Sequence, residues 1–195
     1  MKNLPITAKF LSILAIFGIF GIASSYYATN EMQSIAGGFE RVASTSSAAD
    51  VAMSRANQDL EAARASIEAL LISTSASENQ AASDALKLDS SDFDTRMANA
   101  EALMPAQASE IQALQSRADT LLNVDCAQSV SLGAAATNAA QVQASQAAFA
   151  TACEPSFPQL TQDMSSEFDV VQSQAQQDRT SIKAEAGNAT VLTLV

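Results

Sequence analysis

The chain has 195 residues, the length of one ordinary domain, and carries 10 Lys and Arg against 21 Asp and Glu for a net charge of −11. So acidic a surface repels phosphate backbones and excludes nucleic acid as a partner. There is no His, and two cysteines cannot complete a structural zinc site. With the commonest general acid–base and metal ligand both missing, no catalytic residue, metal or cofactor is expected, and the chain reads as a non-enzyme.

Apolar residues make up 48% of the chain but aromatics only 5%, with 6 Gly and 4 Pro. Much of the apolar content is alanine, which suits tightly packed helices. Glycine and proline are too scarce to punctuate a many-stranded sheet. The expected fold class is all-α: an N-terminal transmembrane helix continuing into an up-down-up-down four-helix bundle.

The first nine residues contain Lys2 and Lys9, and Phe10 to Ala28 then run for 19 positions without a charge. As a helix this run would span about 28 Å, close to the hydrocarbon thickness of a bilayer. From Ala28 onward 8 basic residues face 21 acidic ones, a balance of −13. The positive-inside rule therefore places residues 1–9 in the cytoplasm and the bulk of the chain outside. Tyr26 and Tyr27 fall where an aromatic belt meets the outer interface. The alternative is a cleaved signal peptide with an apolar core from Phe10 to Ala23 and a small-residue site at Ala23-Ser24-Ser25. Both readings export the domain, assigned to residues 29–188.

A first helix over 29–73 is expected from a seam in steps of three and four: Met32, Ile35, Phe39, Val42, Ser46, Ala49, Met53, Ala56, Leu60, Ala63, Ile67 and Leu70. Eleven of the twelve are apolar. That spacing keeps one stripe facing its neighbours turn after turn, whereas a strand alternates every two residues. Ser73 to Ser77 break the helix, and Ser77 with Gln80 has the form of a capping box. The second helix, 78–104, carries Ala82, Leu86, Phe93, Met97, Ala100 and Met104. Pro105 fits a turn or the first position of the third helix, 106–133, which carries Ile111, Leu114, Ala118, Leu121 and Leu122 and fades near Gly133.

The fourth helix, 140–188, carries Phe149, Phe157, Leu160, Met164, Phe168, Val171, Ala175, Ile182 and Ala186. Pro155 and Pro158 fall within it, so a kink is expected, or a short helix from about Asn138 to Ala152 before the main one. Counting residues up and down the helices brings the tops of the third and fourth to one height, as an antiparallel bundle requires. Residues 189–195 read as the start of a second transmembrane span, with a frayed tail as the alternative.

Taken together, the chain resembles the four-helix-bundle sensor of methyl-accepting chemotaxis proteins. The resemblance rests on the start Met1-Lys2-Asn3-Leu4-Pro5-Ile6-Thr7-Ala8-Lys9, the heptad leaving the span, and the return toward a second span. Cys126 with Cys153-Glu154-Pro155-Ser156-Phe157 is also similar to a pattern in alphaproteobacterial receptors of this kind. It implies a homodimer in the bacterial inner membrane with a periplasmic sensor domain. A small molecule or a periplasmic protein would be sensed, and a small displacement of the last helix would carry the signal inward. The same sensor feeding a histidine kinase or diguanylate cyclase is the alternative, and a membrane-anchored tether without signalling is a third reading.

Dimerisation is expected through the first helix, where Ala49, Ala56 and Ala63 recur at sevens and permit close approach. Aspartate-receptor relatives bind a carboxylate with clustered arginines on this helix; here it offers Arg41, Arg55 and Arg64 without a tight cluster, so no residue carries over from that site, and Arg55 and Arg64 stand as the ligand-binding candidates. They stand nine residues apart and project to nearly opposite sides. Asp59 lies four residues from Arg55, and Glu61 and Glu68 lie at helical spacing from Arg64, so a salt-bridged outer face is the plainer reading. In an oxidising compartment Cys126 and Cys153 would pair near the distal tip, closing a loop worth roughly 3 kcal/mol. Ala127, Ala150 and Ala152 would let the backbones close in. Two buried free thiols are the alternative.

Overall fold

The computed structural model describes the backbone of residues 6–193, and side chains except at 6–9, 31, 41–43, 185 and 187–193. The protein is 92% helical, with no strand among the described residues. In chain order come α1 (Ile6–Arg41), a π-helical turn (Val42–Ser46), α2 (Ser47–Leu70), α3 (Ala76–Leu103) and α4 (Ala108–Thr120). A second π-helical turn (Leu121–Asp125) leads into α5 (Ala127–Ala134), and α6 (Ala139–Ala148) comes next. A third (Phe149–Cys153) and a 3-10 turn (Glu154–Ser156) precede α7 (Phe157–Thr193). Two compact units result: Met1–Ala43 with Gln176–Val195, and Ser44–Ala175.

The core of the larger unit is the three-four stripe of α2. Ala49, Ala56, Leu60, Ala63, Ile67 and Leu70 are wholly buried, and Met53 and Ser46 nearly so. Phe93, Met97 and Ala100 of α3, Ile111 and Ala118 of α4, and Phe157, Leu160, Met164 and Val171 of α7 share the core. Each large apolar side chain sealed here contributes about 1.5–3 kcal/mol of transfer free energy. Ala82 and Leu86, read as seam residues of the second helix, are only half-buried.

This packing corrects the expected dimer seam. Ala49, Ala56 and Ala63 are all 0% exposed within a single chain, so they face its own core and cannot meet a partner subunit. Their small size serves close packing inside one protomer.

Several local expectations also change. Helix α3 starts at Ala76 with Ser75 in the N-cap position, and no side chain caps it. Ser77 instead shares a hydrogen bond with Ser75, and Gln80 donates to Asp84, so Ser77–Gln80 is not a capping box. The reciprocal cap lies at α6. Asn138 Oδ1 accepts from the Gln141 backbone N–H, and Gln141 Oε1 accepts from the Thr137 N–H. Pro105 sits in the turn between α3 and α4.

The prolines near residue 155 fall at helix beginnings rather than in a helix interior. Pro155 lies at the start of the 3-10 turn, and Pro158 is the second residue of α7. First-turn N–H groups have no intrahelical acceptor, so neither proline removes a hydrogen bond there. The short helix expected before them is Ala139–Ala148.

In the smaller unit α1 is one helix long and apolar enough to cross a membrane. Its apolar window has a mean hydropathy of 1.8 and is 0% buried. Phe17, Phe20 and Ile22 are each more than two-thirds exposed. Gly38 of α1 faces Ile182 of α7, whose Cγ1 would lie 3.1 Å from an added β-carbon. Met32 and Phe39, read as seam residues, are 72% and 52% exposed. Residues 1–5 lie outside the described residues, as do the side chains of 189–195, where the second span was expected to begin.

Candidate functional site

Cys126 and Cys153 form a disulfide with their Cα atoms 4.5 Å apart, and both residues are wholly buried. Antiparallel helices normally lie 8–10 Å apart, so the backbones here come unusually close. The alanines named for this role do not supply the approach: Ala127, Ala150 and Ala152 are all exposed. Each cysteine instead adjoins a π-helical turn, Leu121–Asp125 before Cys126 and Phe149–Cys153 ending at the other. A π turn inserts one extra residue and rotates the downstream helix, which re-aims the side chain at its end.

Around this bond the chain is pinned by buried polar contacts. Ser129 Oγ donates to the Cys126 carbonyl at 2.8 Å, and Ser145 Oγ donates to the Ser129 carbonyl at 2.7 Å. Asn79 Nδ2 donates to the Ala136 carbonyl at 2.9 Å, and Gln146 Nε2 to the Leu71 carbonyl at 2.8 Å. Gly133 lies buried inside α5, where the helix was expected to fade. These contacts join residues up to 75 positions apart, and no local spacing announces them.

The two candidate arginines do not form an anion clamp. They stand about 13.5 Å apart along the α2 axis at 1.5 Å per residue. Arg64 donates to Glu68 at 3.0 Å, and its guanidinium lies 5.4 Å from the centroid of the Phe157 ring. Arg55 is exposed, and its expected partner Asp59 accepts instead from Arg96 of α3 at 2.6 Å. Glu61, the other acid near Arg64, accepts from the Thr161 hydroxyl at 3.3 Å. The strongest ion pairs therefore tie helices together rather than facing an open site.

Two carboxylates of α7 feel opposite environments. Asp163 is held below the usual carboxylate range by the hydrogen bond from Arg117, with Gln159 adding to it. Glu167 is pushed upward by burial, and then by the charge of Glu110. Its Oε1 is buried without a hydrogen-bond partner.

Several concavities lie among the described residues. A groove of about 740 Å³ runs between α3 and the α4–α5 segment, with Leu86, Leu122 and Val130 among its lining and Ser83, Ser90 and Asn123 at its polar positions. A smaller cavity of about 160 Å³ lies between α2 and α7. No family model, curated protein or solved structure matches this chain.

Proposed function

We propose that the chain is the extracytoplasmic sensor of a bacterial chemotaxis-type transducer, an up-down-up-down four-helix bundle anchored in the inner membrane by α1. The observation that carries this reading is connectivity. Both crossings between the compact units, at 43–44 and 175–176, lie in helical backbone. A helical connection transmits an axial or rotational shift that a flexible loop would absorb. The apolar, exposed window of α1 and the lysines before it support a span with a cytoplasmic N-terminus.

Ligand-biased displacement of α7 between two packing states is the signalling step in this reading. The bundle dimerises through the outer face of α2, because its inner seam is occupied. Val51, Arg55, Gln58, Ala62, Ala65 and Ala69 continue a three-four spacing on that outer side, and Ile72 follows in the turn just past the helix. Val51 is 48% exposed and Ile72 77%.

An alkaline phosphatase fusion after Ala175, assayed in whole cells with membrane fractionation, tests the topology. Active enzyme held in the membrane with the N-terminus intact is the expected result. Inactive enzyme, or a soluble product beginning near Tyr26, overturns the anchored sensor. A chimera with the cytoplasmic part of a chemotaxis transducer tests the output through ligand-dependent swimming bias.

A further inference from the structure

In the linear order of residues, the stripe that fills the core of α2 continues without a break into α1. Ile35, Phe39, Val42, Ser46 and Ala49 follow one another at steps of four, three, four and three. An uninterrupted α-helix would keep all five on one face. The backbone between them is interrupted, because Val42–Ser46 form a π-helical turn. Such a turn takes up one extra residue, so the helix before it is rotated by about 100° against that periodicity.

The side chains on either side record the offset. After the turn the stripe is in place, with Ser46 4% and Ala49 0% exposed. Before it, Phe39 and Met32 lie on the surface. Gly38, one position earlier than Phe39, faces Ile182 of α7 instead. The approach is close: a β-carbon on Gly38 would lie 3.1 Å from Ile182 Cγ1 and 3.4 Å from its Cδ1. The periodicity thus encodes one register, and the fold adopts its neighbour.

We propose that the π-helical turn at Val42–Ser46 is a register switch, whose annealing to α-helix brings Phe39 in place of Gly38 against Ile182 and drives α7 away from α1. With the α2 stripe held, loss of the extra residue turns α1 by one position. Phe39 then leaves the surface, which is favourable for so large an apolar side chain. Against this, a phenyl ring cannot fit where a single β-carbon is already tight, so Ile182 must give way. Exposed apolar surface in one register is set against a lost helix contact in the other, the condition for a two-state element. The residues of the turn hold neither state firmly. Val42, Ser44, Thr45 and Ser46 are weak helix formers, and hydroxyls inside a helix compete for its carbonyls.

The switch deepens the sensing reading and rests on it for a role in signalling, though not for the two registers themselves. It supplies a physical cause for the displacement of α7.

Pulsed EPR on the full chain in nanodiscs, spin-labelled through Ser34→Cys and Thr180→Cys, tests it. Both positions are exposed, and the native cysteines are paired. Deleting Ser44 removes the extra residue and keeps Gly38 in place, so this chain and the parent should share one distance. Ser44→Ala with Thr45→Ala favours α-helix at full length and should shift the distance by several ångströms. Gly38→Ala added to that pair should enrich the second distance, and Phe39→Ser should abolish it.

One unchanged distance in every folded chain, as judged by circular dichroism, overturns the switch. A second distance in the Ser44 deletion overturns it as well, since the turn would then hold no extra residue. Registers that shift while the basal swimming bias of the chimera stays constant would leave the switch standing and remove its role in signalling. A bias that changes while every chain keeps one distance would leave the sensing reading standing and overturn the switch.

Discussion

A β-carbon placed on Gly133 would lie 2.9 Å from Leu70 Cβ and 2.9 Å from the Leu70 carbonyl oxygen. Glycine is therefore what lets α5 press against the end of α2, and the same β-carbon would lie 3.1 Å from the Ser145 hydroxyl oxygen. A backbone oxygen and a buried, hydrogen-bonded serine leave little room to yield.

Gly133→Ala should accordingly destabilise the fold by about 1–3 kcal/mol, the usual cost of overpacking. Gly37→Ala is the control. It meets nothing within 4 Å in its helix, so relief of glycine's conformational entropy should leave stability unchanged or raised by up to about 1 kcal/mol. Thermal melts of the two variants should move in different directions. Equal behaviour would show that the α5–α2 approach is looser than described.

Replacing both Cys126 and Cys153 by serine should cost about 3 kcal/mol in urea unfolding, from the loop that the bond closes over a separation of 27 residues. Helical content before unfolding should be nearly unchanged, because the seam of α2 does not depend on the bond. A midpoint identical to that of the oxidised parent would mean the bond is not formed in the exported protein.

Cross-linking separates the inner and outer faces of α2. Cysteine at Ala65 or Ala69, both exposed, should give an oxidised dimer under the proposed interface. Cysteine at Ala56, 0% exposed, should give none in folded protein. Dimer trapped through position 56 with the native disulfide intact would require the core to open.

The pH dependence of Glu167 has a definite sign. Its folded carboxyl sits above the ordinary value of 4.5, because burial and Glu110 disfavour the charge. The folded state then holds its proton more tightly than the unfolded one. A penalty grows as pH rises past the unfolded value and is complete above the folded value. Glu167→Gln should therefore stabilise the protein at neutral pH, with the gain shrinking toward zero below the ordinary carboxylate range. Asp163 has the opposite sign. Arg117 depresses its folded value, so its contribution is present at neutral pH and is lost as pH falls through that lower value. Urea unfolding of Glu167→Gln from acid to neutral pH checks the first. A constant difference across pH would assign the effect to packing.

Helix existence and the buried stripe were legible in the linear order of residues, and so was the apolar span. Those features come from period and composition: Ala49 to Leu70 recur every three or four positions, and 19 uncharged positions begin at Phe10. The pairing of Cys126 with Cys153 was legible for a simpler reason, since each had no other candidate. Which neighbour each face meets was decided only in three dimensions. The stripe at Ala49, Ala56 and Ala63 suits an inner core and a dimer seam equally well, and burial within one chain assigns it to the core. Asp59 lies four residues from Arg55, yet it pairs with Arg96 from 37 positions away. Gly133 reads as a helix end until Leu70 is brought against it. Local sequence carries spacing along one helix, whereas the gap between two helices depends on where the turns and the disulfide set them.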